Sequence, residues 1–127
     1  MAYVYYNANP RKQIVGDCVI RSISTVTGMD WEEVYINLCE EGLAQCDLPN
    51  SNSVWDKFLR QLGFHKHTLP STCPYCYTVK QFCHHNPEGA FVLATGQHAI
   101  AVIDGDYFDI FDSGNETVAY LYAKEVF

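Results

Sequence analysis

Positive charge is scarce in this chain of 127 residues: eight Lys and Arg stand against fifteen Asp and Glu, for a net charge of -7. A surface built to neutralise phosphates would carry the opposite balance, so neither nucleic acid nor an anionic membrane is an expected partner. Long apolar runs are missing too. Nothing approaches the roughly 20 residues that cross a bilayer. The start, Met1 to Arg11, is aromatic and polar and lacks a basic segment followed by an apolar stretch. No export leader is read there, and the chain is expected to stay in the cytoplasm. Internal repeats and low-complexity segments are also absent. What is there is globular: hydrophobic residues make up 48% and charged residues 18%, unlike the signature of disorder. The length suits one domain, residues 1–127, with one core.

Six cysteines, at positions 18, 39, 46, 73, 76 and 83, are many for this length. Disulfides are rare in a reducing cytosol, so these side chains read as free thiols, metal ligands or a nucleophile.

Hydrophobic spacing then divides the chain. The first sixteen residues carry breakers and read as an irregular arm, with an extended piece at Val4 to Tyr6. Val19, Ile20, Ile23 and Val26 recur at helical spacing and predict a helix over Cys18 to Thr27, with Asp17 as its N-cap and Gly28 as its stop. Asp30 with Glu33 reads as a capping box for a second helix, whose buried face is Trp31, Val34, Tyr35 and Leu38 and which ends near Gly42. Leu43 to Ser51 is a loop. Val54, Trp55, Phe58, Leu59 and Leu62 mark a third helix closed by Gly63. Phe64 to Leu69 alternates like a strand, Pro70 to Tyr77 is a second loop, and Thr78 with Gln81 caps a short helix to about His85. Ala90 to Thr95, His98 to Ile103, Tyr107 to Phe111 and Thr117 to Tyr122 are β-branched or aromatic runs between Gly-containing turns, the pattern of an antiparallel meander. Helices first and strands after predict an α+β fold, with the N-terminal helices packed on a C-terminal antiparallel sheet.

Cys18 opens the first of these helices. Unpaired N–H groups and the dipole at a helix N-terminus favour negative charge, which lowers a thiol pKa. An ordinary thiol, with a pKa of about 8.5, is only a few per cent thiolate at neutral pH, so a nucleophilic cysteine needs that field and an imidazolium partner. His98 stands out among five histidines because it opens Ala99-Ile100-Ala101-Val102-Ile103, a strand apolar on both faces, where a polar ring is anomalous unless it faces a site. A third group must orient that ring, and the next strand offers Asp109 and Asp112. With Asp104-Gly105 as a two-residue turn, Asp109 lies on the His98 face; with Asp104-Gly105-Asp106 as a three-residue loop, Asp112 lies opposite His98. Register alone leaves both open.

The segment Gln13-Ile14-Val15-Gly16-Asp17-Cys18, followed by a helix, resembles the signature of papain-like cysteine peptidases. Gln97-His98-Ala99-Ile100-Ala101-Val102 and then Phe111-Asp112-Ser113-Gly114 resemble that family's His strand and the strand after it, which carries Asn or Asp. The likeness spans most of the chain and is nearest to compact members, such as the peptidase domains of bacteriocin exporters and short bacterial or phage proteins. It implies Cys18 as nucleophile, His98 as general base and acid, Asp112 as the orienting group, and Gln13 with the Cys18 N–H as the oxyanion hole. It also implies a papain-like fold and a thiol hydrolase acting on an amide, peptide or isopeptide bond of a peptide or protein substrate. The same residues serve acyl transfer to an amine, and the same cleft in an idle relative would hold a peptide or host protein without cleaving it.

A second constellation is Cys73-Pro74-Tyr75-Cys76. A tetrahedral zinc needs two more ligands, for which Cys83, His84, His85 and Cys46 are the candidates. That spacing is permissive rather than diagnostic, and packed thiols are the simpler account, so no cofactor is expected. Asp104, Asp106 and Asp109 lack the twelve-residue loop of a calcium site, and the aromatic residues fall mostly at core spacing.

Overall fold

The structure is a computed structural model and describes residues 2–69 and 76–124. Among these residues, four helices and six strands follow in the order β1 (Tyr3–Tyr5), α1 (Cys18–Thr27), α2 (Trp31–Gln45), α3 (Asn52–Gln61), β2 (His65–Thr68), α4 (Val79–His85), β3 (Ala90–Ala94), β4 (Ala99–Ile103), β5 (Asp106–Asp109) and β6 (Tyr120–Ala123). The class is α+β. The strands form one sheet in the order β1-β5-β4-β3-β6-β2.

That sheet is mixed, not antiparallel. β1 pairs in parallel with β5, while the other neighbours run antiparallel. With β1 on its outer edge, β5 has no free edge for β6, which crosses back to pair with β3. A simple meander is thereby broken. β6 also starts later than Thr117, which meets Thr78 only in an isolated bridge.

Period-two alternation in the central strands divides the core. Val92 and Ala94 of β3, Ala99 of β4 and Tyr122 of β6 join Ile23, Val34, Leu38, Val54 and Phe58 from α1, α2 and α3. The intervening Leu93, Ile100, Val102 and Leu121 join Val79, Phe82 and Cys83 of α4. Helices therefore cover both faces, with α4 on the face opposite the other three. Strands apolar on both faces require this cover.

Two helix ends depart from the sequence reading. α2 passes Gly42 and stops at Cys46, which takes a left-handed conformation with φ 54. Gly42 is a packing glycine: a Cβ there would lie 2.9 Å from the Asp47 carbonyl oxygen, because the chain folds back over the helix. Asp30 stands at the N-cap of α2 without a side-chain capping bond. The box at α4 does form, with Gln81 N–H donating to Thr78 Oγ1 at 3.2 Å and Thr78 N–H to Gln81 Oε1 at 2.9 Å.

Candidate active site

The arm before α1 is irregular but held by buried asparagines. Asn9 N–H donates to Asn7 Oδ1, and Asn9 Oδ1 accepts from the N–H groups of Arg11 and Gln13. Asn9 Nδ2 reaches on to Asp17 Oδ2. Asp17 occupies the N-cap position of α1, but its side chain caps nothing. Its oxygens instead accept from Arg21 Nε at 2.8 Å and from the Trp31 indole N–H at 3.0 Å. The first-turn N–H groups of α1 are thus left uncapped by Asp17, with Cys18 the first helical residue.

His98 lies just ahead of β4. Its Nε2–H donates to Asp109 Oδ2 at 2.6 Å, and the ring packs 5.0 Å, centroid to centroid, from Phe111. The ring shares a cleft with Cys18, and each of the two side chains shifts the pKa of the other. With Nε2 committed to Asp109, Nδ1 is the nitrogen left for the sulfur.

The third position corrects the resemblance. Ile103 pairs with Asp106 across Asp104-Gly105, a two-residue turn in which both central residues have positive φ, 50 and 80. That is the type I′ geometry Asp-Gly favours, because its twist matches the flanking strands. Asp109 then ends β5 beside His98. Asp112, expected behind the ring, accepts instead from the Tyr107 hydroxyl at 2.5 Å and from Gly114 N–H at 3.0 Å. Gln13 is exposed and stands outside the lining of the Cys18 cleft.

Electrostatics agree with the geometry. Burial pushes the Cys18 thiol up, but the hydrogen bond with His98, the Ala99 backbone and the charges of His98 and Arg21 outweigh it and bring the thiol below its ordinary value. Burial also disfavours the charged imidazole, yet the bonds to Asp109 and Cys18 and their negative charges push His98 up to about 9. Asp109 is pulled below the ordinary carboxylate value: burial opposes this, and the His98 bond, the His98 charge and the Ser113 bond prevail. The arrangement favours a thiolate–imidazolium pair.

Cys18 and His98 share a cleft of about 230 Å³ with Asn50, Asn52, Trp55 and Gln97 among its walls. No Lys, Arg, Asp or Glu lines it among the described residues. Such a cleft suits a small, uncharged, polar segment of a reactant.

The candidate zinc set does not assemble among the described residues. Cys73 lies outside them, and no group of three or more His, Cys, Asp or Glu within them could hold a metal ion. Cys46 is exposed at the end of α2 and Cys83 is buried under α4, on opposite faces of the sheet, so one tetrahedral ion cannot take both. Cys76 is half-buried, and burial pushes the Cys83 thiol up to about 11.

The residue that sequence reasoning missed is Arg21, buried on the side of α1 away from Val19 and Ile23, with its guanidinium between Asp17 and Asp109. The signal was an arginine four residues after an aspartate, the spacing of a helical ion pair. Comparison of the chain with protein-family models, with curated proteins and with solved structures found no match in any of the three.

Proposed function

We propose that this protein is a thiol hydrolase that cleaves an amide, peptide or isopeptide bond through Cys18, His98 and Asp109. The observation that carries this reading is that Cys18 and His98 line one cleft while the His98 ring makes a 2.6 Å contact with the buried Asp109 carboxylate. In the first step the Cys18 thiolate attacks the carbonyl carbon, and the carbonyl π electrons move onto oxygen. The first-turn N–H groups of α1 support the developing oxyanion. Collapse of that intermediate expels the amine, which takes its proton from His98 and leaves a thioester on Cys18. The now neutral His98 then deprotonates a water, whose oxygen attacks the thioester; the carboxylic acid departs and the sulfur returns as thiolate. Asp109 holds the ring and stabilises its charged form throughout.

A second reading is favoured by one placement. Gln13, the side-chain donor that the family likeness supplies, is exposed and outside the lining of the cleft. An idle module that holds a peptide in the same cleft would need no such donor.

Selective alkylation separates the two. Iodoacetamide near pH 6 is expected to modify Cys18 ahead of the other cysteines, with that preference lost in His98→Ala, and an electrophilic peptide or acyl probe should be captured on the Cys18 sulfur. Uniform reactivity of all the thiols would sink the hydrolase in favour of the idle module.

A further inference from the structure

A buried carboxylate as the third member raises a difficulty that a neutral amide would not. Asp109 is 2% exposed, and an unpaired anion at that depth is strongly disfavoured. His98 cannot be its lasting counter-charge, because the imidazole changes charge each time it gives up its proton. With the ring neutral, a lone Asp109 would tend to take a proton itself and lose its grip on the Nε2–H.

Arg21 meets that difficulty. Its NH1 lies 3.3 Å from Asp109 Oδ1, while Ser113 Oγ and His98 Nε2 occupy Oδ2. Its Nε lies 2.8 Å from Asp17 Oδ1, one helical turn back, and its side chain is 8% exposed. Asp17 is itself fastened by Asn9 and Trp31. Asp109 Oδ1 also accepts from the Ile110 N–H, and the Asp109 carbonyl accepts from the Tyr3 hydroxyl and the Tyr6 N–H. Arg21 is therefore the permanent cation in this shell among the described residues, since a guanidinium keeps its charge across the working pH range. From sulfur to α1 the signs alternate: thiolate, imidazolium, carboxylate, guanidinium, carboxylate.

We infer that Arg21 is a positioning residue for the Cys18, His98 and Asp109 site, fixing the Asp109 carboxylate in place and in its ionised form behind the ring, with Asp17 fixing Arg21 in turn. This role rests on the hydrolase reading. The fork geometry is essential, because one guanidinium must reach two carboxylates from one helix position.

Carboxyl-carbon NMR of the intact wild-type protein tests the role without a variant. Asp109 is expected to stay ionised while the His98 imidazole titrates; an Asp109 protonation step that coincides with the His98 step overturns the inference. In Arg21→Gln, the pH at which Cys18 becomes reactive to iodoacetamide should rise, and alkylation near pH 6 should slow about tenfold for each whole pH by which that onset climbs. Arg21→Lys keeps the charge but spans only one carboxylate, and should fall between. A folded Arg21→Gln protein with the wild-type alkylation profile also overturns the inference. If that variant does not fold, Arg21→Gln combined with Asp17→Asn, which removes one of the two orphaned carboxylates, is read the same way. Neither readout needs a substrate. An unreactive wild-type Cys18 ends the hydrolase reading, whereas the carboxyl titration still decides what Arg21 does.

Discussion

Cys18 and Cys83 both sit on helices packed against the central strands, but on opposite faces of the sheet, and their thiols are driven in opposite directions. Cys83, on the buried side of α4, shares a core cluster with Val79, Phe82 and Val102, and burial lifts it to about 11. Cys18 is half-buried, yet His98 and nearby positive charge bring it below its ordinary value. The aspartates separate likewise. Asp109 is buried on His98, Arg21 and Ser113, whereas Asp112 serves the Tyr107 hydroxyl at the other face. Burial alone makes a thiol inert; burial beside a paired imidazole makes it a nucleophile.

The largest effect that would break this contrast is removal of the sulfur. Cys18→Ser should abolish hydrolysis, a fall of roughly four orders of magnitude or more, measured by single-turnover assay on an activated amide or thioester. Next come the aspartates. Asp109→Asn should slow turnover by roughly 10²- to 10⁴-fold, while Asp112→Asn leaves it near wild type and lowers only the melting temperature. An equal loss in both would return the orienting role to Asp112.

The pH profile sharpens the same contrast. Activity should rise as the Cys18 thiol ionises, below its ordinary range, and fall as pH climbs through about 9 and the His98 imidazolium is lost. Because the His98 value is raised from 6.5 to about 9, the pair's contribution to folding is complete below about 6.5 and disappears as pH rises through about 9. Asp109→Asn removes the charge that raises His98, so its alkaline limb should move to lower pH; pH-dependent kcat/KM on both proteins checks this. The smallest effect is at the inert thiol. Cys83→Ala should lower stability by about 1 kcal/mol in urea denaturation, with activity unchanged.

Much of the local structure was legible in the sequence. The apolar spacing of Val19, Ile20 and Ile23 fixed the helix that Cys18 opens, because a helical period can be read from residues a few positions apart. The Thr78–Gln81 box was readable for the same reason. The third site residue was half-legible: Asp104-Gly105 carries the preference for positive φ at both turn positions, but likeness to a family motif pointed three residues further on. Gly42 misled because a glycine inside a helix and one that ends it look alike until the Asp47 carbonyl folds over it.

By itself, then, the sequence determined the helices and the doubly apolar strands and singled out Cys18 and His98 as the candidate thiol and imidazole, all of which follow from local period and side-chain chemistry. The tertiary structure alone decided that β1 closes the edge beside β5, that Asp109 rather than Asp112 meets the ring, and that Arg21, paired with Asp17 one turn back, reaches Asp109 across 88 residues of chain. Those outcomes depend on register and on pairing of buried charge between distant segments, and neither is encoded in any short window of residues.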